Sequence, residues 1–251
     1  MRNFFVLFIK ELRGFFLAPM AYVVMALVIL LNGWLFSSMV NAMRERVSPH
    51  SLVYNLFDSG WFWMGFIIIF PIITMRLFAE EKKMGTLEAL FTAPVRTSEV
   101  VLAKYLAAVM MYVVIMVPVF FFFPIFQKIS GEQAAFHSGA LWGSALGFLL
   151  IGMFNTAVGT LASALTANQL IAAMVTFVFV MLHYFLGYLH FFGMIPGSKW
   201  SEGLMYFSMS EHIHAFCEGL IGTGPVVYYL TFSALLLALA HHVLESRKWR
   251  A

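Results

Sequence analysis

The residues able to do chemistry are few. His183 and His190 lie seven apart in an apolar stretch and so share one helical face, with Tyr184 and Gly187 beside them. Ionisable groups within a membrane usually face the bundle interior or a water-filled path. His183, Tyr184 and Gly187 are therefore candidate pathway residues, set against the plainer reading of satisfied packing groups. A second cluster is Glu211, His212, His214, Cys217 and Glu218. Histidine and cysteine at close spacing can bind zinc, but His212 and His214 are two apart and cannot share a helix face. The cluster reads as interfacial polar residues, and no metal site is expected. Asp58 is the only aspartate and has no triad around it, and neither H-E-x-x-H nor G-x-S-x-G occurs. There is no G-x-x-x-x-G-K-[ST]; Gly222-Thr223-Gly224-Pro225 lacks the lysine. Any nucleotide chemistry must come from another polypeptide.

The elements that hold these residues follow from composition. Of 251 residues 62% are hydrophobic and only 11% charged, against about 45–50% and about 25% in soluble domains. So few charges cannot cover a soluble surface, which excludes an ordinary cytosolic enzyme, a disordered chain and a nucleic-acid binder. One cysteine, Cys217, excludes an internal disulfide and any multi-cysteine metal site. A span needs about 20 mostly apolar residues. Six are expected, near 19–40, 61–79, 100–126, 141–165, 170–192 and 226–244, in an all-α integral membrane fold. Pro118 and Pro124 make the third the least regular, and Pro71 should kink the second. Asn3–Leu17 reads as an amphipathic helix in the interface plane, with Phe4, Phe8, Leu12 and Phe15 on one face and Lys10 and Arg13 opposite. Lys10, Glu11 and Arg13 interrupt the opening apolar run, so no secretory signal is expected.

Basic residues set the orientation. With the N-terminus inside, 11 of the 15 Lys and Arg lie inside, and only Arg44, Arg46, Lys128 and Lys199 lie outside. Both termini are thus expected in the cytoplasm. Trp61, Trp63, Trp142 and Trp249 fall near span ends, as interface anchors do. Gly143 with Gly147, and Gly159 with Ser163, are small-x-x-x-small pairs that permit close helix packing. Ser208-x-x-Glu211 is a capping-box pattern that predicts a short helix near 209–220, too short to span. Its Cys217 is expected to be reachable from outside once the outer mouth is accessible.

Two connections are longer than needed: external 193–225 and cytoplasmic 80–99. Residues 80–93, EEKKMGTLEALFTA, precede Pro94 and read as a cytoplasmic helix. Glu81, Gly85 and Glu88 would share one face, with mid-helix Gly85 allowing another backbone to approach. Leu87, Leu90 and Phe91 would form an apolar edge on the spans. The plainer reading is a solvated loop helix.

The run from Met75 to Leu90, then Pro94-Val95 and Lys104-Tyr105, resembles the signature region of ABC-2 type permeases, most closely the gliding-motility-associated branch. Lys10-Glu11-Leu12, the turn from Leu165 to Gln169 and the closing Glu245 to Trp249 match as well. The resemblance covers nearly the whole chain. It implies a single transmembrane domain over 1–251, with an elbow helix at 1–18, a coupling helix at 80–93 and short re-entrant helices at 193–225. It implies a non-catalytic exporter subunit of the bacterial inner membrane that dimerises with an identical or related permease. Glu80, Glu81, Gly85, Thr86 and Glu88 would meet two copies of a separate ATPase. That partner, not this chain, would bind ATP and Mg. Membrane lipids and a periplasmic or accessory subunit are further expected partners, and no nucleic acid is. The reading of a different class is a secondary transporter, or an intramembrane metal-dependent enzyme using His183 and His190.

Overall fold

The computed structural model describes residues 2–45, 49–87, 95–130, 136–189 and 206–248. Among them the helices are α1 (Arg2–Leu17), α2 (Pro19–Glu45), α3 (Leu52–Asp58), α4 (Gly60–Thr74), α5 (Ala79–Lys83), α6 (Thr97–Ser130), α7 (Ser138–Leu165), α8 (Gln169–Phe185), α9 (Met209–Cys217) and α10 (Thr223–Lys248). A 3₁₀ turn, Leu186–Leu189, follows α8. Six helical stretches are long and apolar enough to cross a membrane: Pro19–Met43, Gly60–Lys83, Thr97–Ser130, Ser138–Leu165, Gln169–Tyr188 and Thr223–Ser246.

The third span is the longest, 34 residues running unbroken through Pro118 and Pro124. A helix bundle tolerates such prolines where neighbouring groups satisfy the freed carbonyls. The fifth ends short of the expected boundary, its α-helix stopping at Phe185.

Helix α7 is the hub, packed against α10, α8, α9, α6 and α4. Small residues allow this. A Cβ at Gly143 would overlap the Phe216 carbonyl of α9, and one at Gly147 would come within 2.9 Å of Ile213 and Phe216. A Cβ at Gly152 would overlap the Tyr112 ring, and one at Gly159 the Thr74 side chain. Both small pairs therefore face this same chain, the first toward α9 and the second toward the end of α4.

Trp61 and Trp63 part company because alternate residues point to different sides of a helix. Trp61 and Trp142 are exposed, as anchors should be, whereas Trp63 is buried and stacks on Tyr184 at 4.8 Å between ring centres. Trp63 is a core residue. Trp249 lies outside the described residues.

The outer helix α9 is nine residues long. Ser208 caps it, its Oγ accepting from Glu211 N at 3.2 Å. It stops at Gly219, whose φ of 81° suits glycine. There Leu220 N donates to Ala215 O and Gly219 N to Phe216 O, closing a Schellman motif.

Candidate functional site: the turn after the second span

Helix α4 continues through Pro71 and ends at Thr74. The chain then turns through 75–78 into the five-residue α5. This turn is fastened from behind. Phe78 N and Ala79 N both donate to Ser163 Oγ, at 3.0 and 3.1 Å, and Ser163 Oγ donates to Met75 O at 3.3 Å. Lys82 Nζ donates to Ala164 O, a carbonyl at the C-terminal end of α7 that has no partner within the helix. Ser163 is thus a fastening point for the turn as well as a small residue.

Helix α5 ends at Lys83, with Met84 as its C-cap. Gly85 has φ 69°, and nothing lies within 4 Å of where its Cβ would be. The continuous helix expected over 80–93 is therefore corrected. Gly85 supplies a left-handed C-terminal stop, with Gly85 N donating to Lys82 O at 3.3 Å and Thr86 Oγ1 to Glu81 O at 3.3 Å. Within this chain its glycine answers to φ, not to close approach. Because the helix breaks there, Glu81 and Gly85 do not share a continuous helical face. Glu88, Leu90 and Phe91 lie outside the described residues. Leu87 is buried, as the apolar edge requires.

Glu81 does not point outward. Its Oε1 accepts from Lys104 Nζ at 2.8 Å, and the same ammonium lies 3.0 Å from Glu11 Oε1. Lys104 is only 3% exposed and lies over the Phe78 ring, 5.5 Å from its centre. One lysine inside α6 thus joins α1, α5 and α6. Counting it only as an inside positive charge overlooks this role. A lysine in the third turn of an apolar helix is the signal that could have found it, because such a cation needs a partner. The outward surface of the turn is Lys83, Met84, Gly85 and Thr86, all exposed; Glu80 is half-buried.

The pathway candidates lie in a seam between α8, α10 and the outer segment. His183 Nε2 lies 3.0 Å from Phe207 O and 3.3 Å from Tyr228 Oη. The Tyr184 and Tyr188 hydroxyls share a 2.9 Å hydrogen bond. A Cβ at Gly187 would press on Ser208 and Ser210. His190 lies outside the described residues. Asn155, fully buried in α7, has no hydrogen-bond partner for either amide atom among the described residues.

The outer cluster is dispersed. His212 Nδ1 meets Tyr229 Oη at 2.9 Å, and burial lowers the His212 pKa. His214 Nε2 turns the other way and donates to Asp58 Oδ1 at 2.7 Å. That bond raises the His214 pKa and lowers that of Asp58. The pair ties α9 to α3. Cys217 is 2% exposed in this conformation, and burial pushes its thiol pKa up. The wide outer cleft of about 520 Å³ is lined by His50, Tyr54, His137 and Glu218 as well as Cys217. Among the described residues no group of three or more His, Cys, Asp or Glu is arranged to hold a metal ion.

Six spans around a small-residue hub, with a clamped turn at the end of the second, define a multi-pass helical membrane protein. The chain belongs to the ABC-2 family transporter proteins, whose family model matches residues 17–183. No curated protein matches the chain.

Proposed function

We propose that this ABC-type permease is the transmembrane subunit of an ATP-driven exporter of the gliding-motility-associated branch. It sits in the bacterial inner membrane with both termini cytoplasmic, an orientation supported by the 11-to-4 basic imbalance. Two copies, or this chain and a related one, form the pathway. Two copies of a separate ATPase bind ATP and Mg and drive it, and α1 serves as the interfacial elbow.

One observation carries this reading: the turn Ala79–Leu87 offers an exposed tip and is braced behind by three fastenings. Those are Ser163, the Ala164 carbonyl and the Glu11–Lys104–Glu81 triad. A push on Met84, Gly85 or Thr86 would reach α4, α6, α7 and α1 together. Gly85 and Thr86, with half-buried Glu80 behind them, form the surface that would contact the ATPase. Glu81 acts from the inside through Lys104. His183, Tyr184 and Gly187 border the pathway when the seam opens.

Co-expression with the ATPases of the same host, followed by affinity capture, tests this. Thr86→Arg and Gly85→Trp should abolish the complex and the permease-dependent rise in ATP hydrolysis, while membrane insertion persists. If both variants retain the complex and the rise, the tip is not the docking element.

A further inference from the structure

Beyond the triad lies a cavity of about 480 Å³, lined by Lys10, Glu11, Arg76, Glu80, Glu81 and Lys104 among others. A second, almost wholly apolar cleft of about 50 Å³ is lined by Val24, Ile72, Met111 and Ile115 among others. The two share Phe15, Ala18 and Arg76. A charged chamber thus runs into an apolar slot, with Arg76 at the junction. Both are lined by residues of α1 and of the turn after α4; with α1 in the interface plane, as proposed above, that is the level of lipid headgroups.

The charges there are incompletely matched. Glu11, Lys104 and Glu81 together carry one net negative charge, and Lys10 lies 3.8 Å from Glu11. Among the described residues, the side chains of exposed Arg76 and half-buried Glu80 have neither a hydrogen bond nor an ion pair, and both line the chamber. The Oε2 of Glu81 is buried with no donor. Buried polar atoms are ordinarily satisfied. A phosphate would suit the guanidinium of Arg76, and a cation bearing N–H groups would suit the carboxylates. The six charged side chains lining the chamber balance, Lys10, Arg76 and Lys104 against Glu11, Glu80 and Glu81, which suits a ligand carrying both charges, while a free zwitterion would leave the apolar slot unused.

We propose that the chamber and slot bind a phospholipid with a primary-amine zwitterionic headgroup, of the phosphatidylethanolamine class. Its phosphate pairs with Arg76, its ammonium donates to Glu80 and to Glu81 Oε2, and the start of an acyl chain enters between Val24 and Ile115. The site belongs to the permease alone. It is tested without any ATPase, so its failure leaves the proposed function standing, and the converse holds too.

The experiment uses the full-length permease, delipidated in detergent. Its melting temperature is followed as dioleoyl phosphatidylethanolamine, phosphatidylcholine or phosphatidylglycerol is titrated into the micelle. Phosphatidylethanolamine should stabilise most, since phosphatidylcholine has no N–H to donate. Arg76→Gln and Glu80→Gln should melt like wild type in lipid-free detergent, yet each should weaken the phosphatidylethanolamine response about tenfold, the loss of roughly one charge-assisted hydrogen bond. Equal responses to all three lipids, a preference for phosphatidylglycerol, or an unchanged response in both variants would overturn the proposal. So would an equal response to glycerophosphoethanolamine, which lacks the chains.

Discussion

Replacing Lys104 by methionine removes the one cation between two carboxylates. Glu81 Oε1 and Glu11 Oε1 lie 2.8 and 3.0 Å from the same ammonium, and the glutamate side chains keep only 16% and 17% of their exposure. After the substitution both are left half-desolvated, unpaired and close to each other. Removing one partner of a buried pair costs about 3–5 kcal/mol. The partial exposure of the carboxylates points to the lower end, about 3 kcal/mol. At roughly 2–4 °C per kcal/mol for a chain of this size, that is about 6–12 °C in melting temperature. Glu11→Gln or Glu81→Gln should each cost only about 1 kcal/mol, because each also relieves the like-charge contact. The triple variant, Glu11→Gln with Glu81→Gln and Lys104→Met, should recover most of the loss, since apolar or neutral replacement of a whole buried ion group is often close to neutral. Cys217, the only thiol and nearly inaccessible in the fold, is a built-in reporter. A thiol-reactive fluorophore brightens as it becomes exposed on heating. If Lys104→Met melts no lower than Glu81→Gln, the triad is not a structural clamp, and the mechanical link from α5 to α1 and α6 falls with it.

Gly85→Asn should be nearly neutral in stability and Gly85→Ala should cost about 1–2 kcal/mol, because asparagine tolerates a positive φ and alanine does not. The reverse order in a melting series would show that φ is not what selects glycine. Gly143→Val should lower stability by about 1–3 kcal/mol through overlap with the Phe216 carbonyl, measured by the same dye. The Asp58–His214 bond has a pH window. Depressed Asp58 stabilises the fold above its unfolded value near 3.8, and that contribution fades as pH falls through the folded value. Raised His214 stabilises it fully below its unfolded value near 6.5, and that contribution fades as pH rises through the folded value. Wild type should therefore be better protected than His214→Gln at about pH 5–6, with the difference shrinking by about pH 9. A pH-independent gap would refute the ion pair.

How legible these features are depends on how local their causes are. The spans are written in runs of apolar residues, and the Ser208–Glu211 cap lies within four positions. Both emerge as expected. The stop at Gly85 is also local: two lysines followed closely by a glycine are a helix C-terminal signal. The helical composition of the sequence up to Pro94 masks that signal. Lys104 is opaque for a different reason. Its partner Glu11 belongs to a helix 93 positions earlier, so only the packing of α1 on α6 reveals the bond. Trp63 resembles an anchor when end-of-span position is weighed without helical phase. Cys217 reads as accessible because it sits outside the spans, yet packing of α9 on α7 and α3 encloses it.

The glycines of α7 have a geometric consequence. Gly143 presses on α9 at one end, and Gly159 sits against Thr74 at the other, sixteen positions away. At about 1.5 Å per residue the two contacts are about 24 Å apart along one rod. Neither leaves room for even a methyl group, so neither end can move without displacing its neighbour. Tilting the rod about its midpoint would swing the two ends in opposite directions. A rotation of about 5° displaces each by about 1 Å, with no helix needing to unwind. Such a see-saw would carry motion between the turn after α4 and the outer helix, with Gly152 against Tyr112 near the fulcrum.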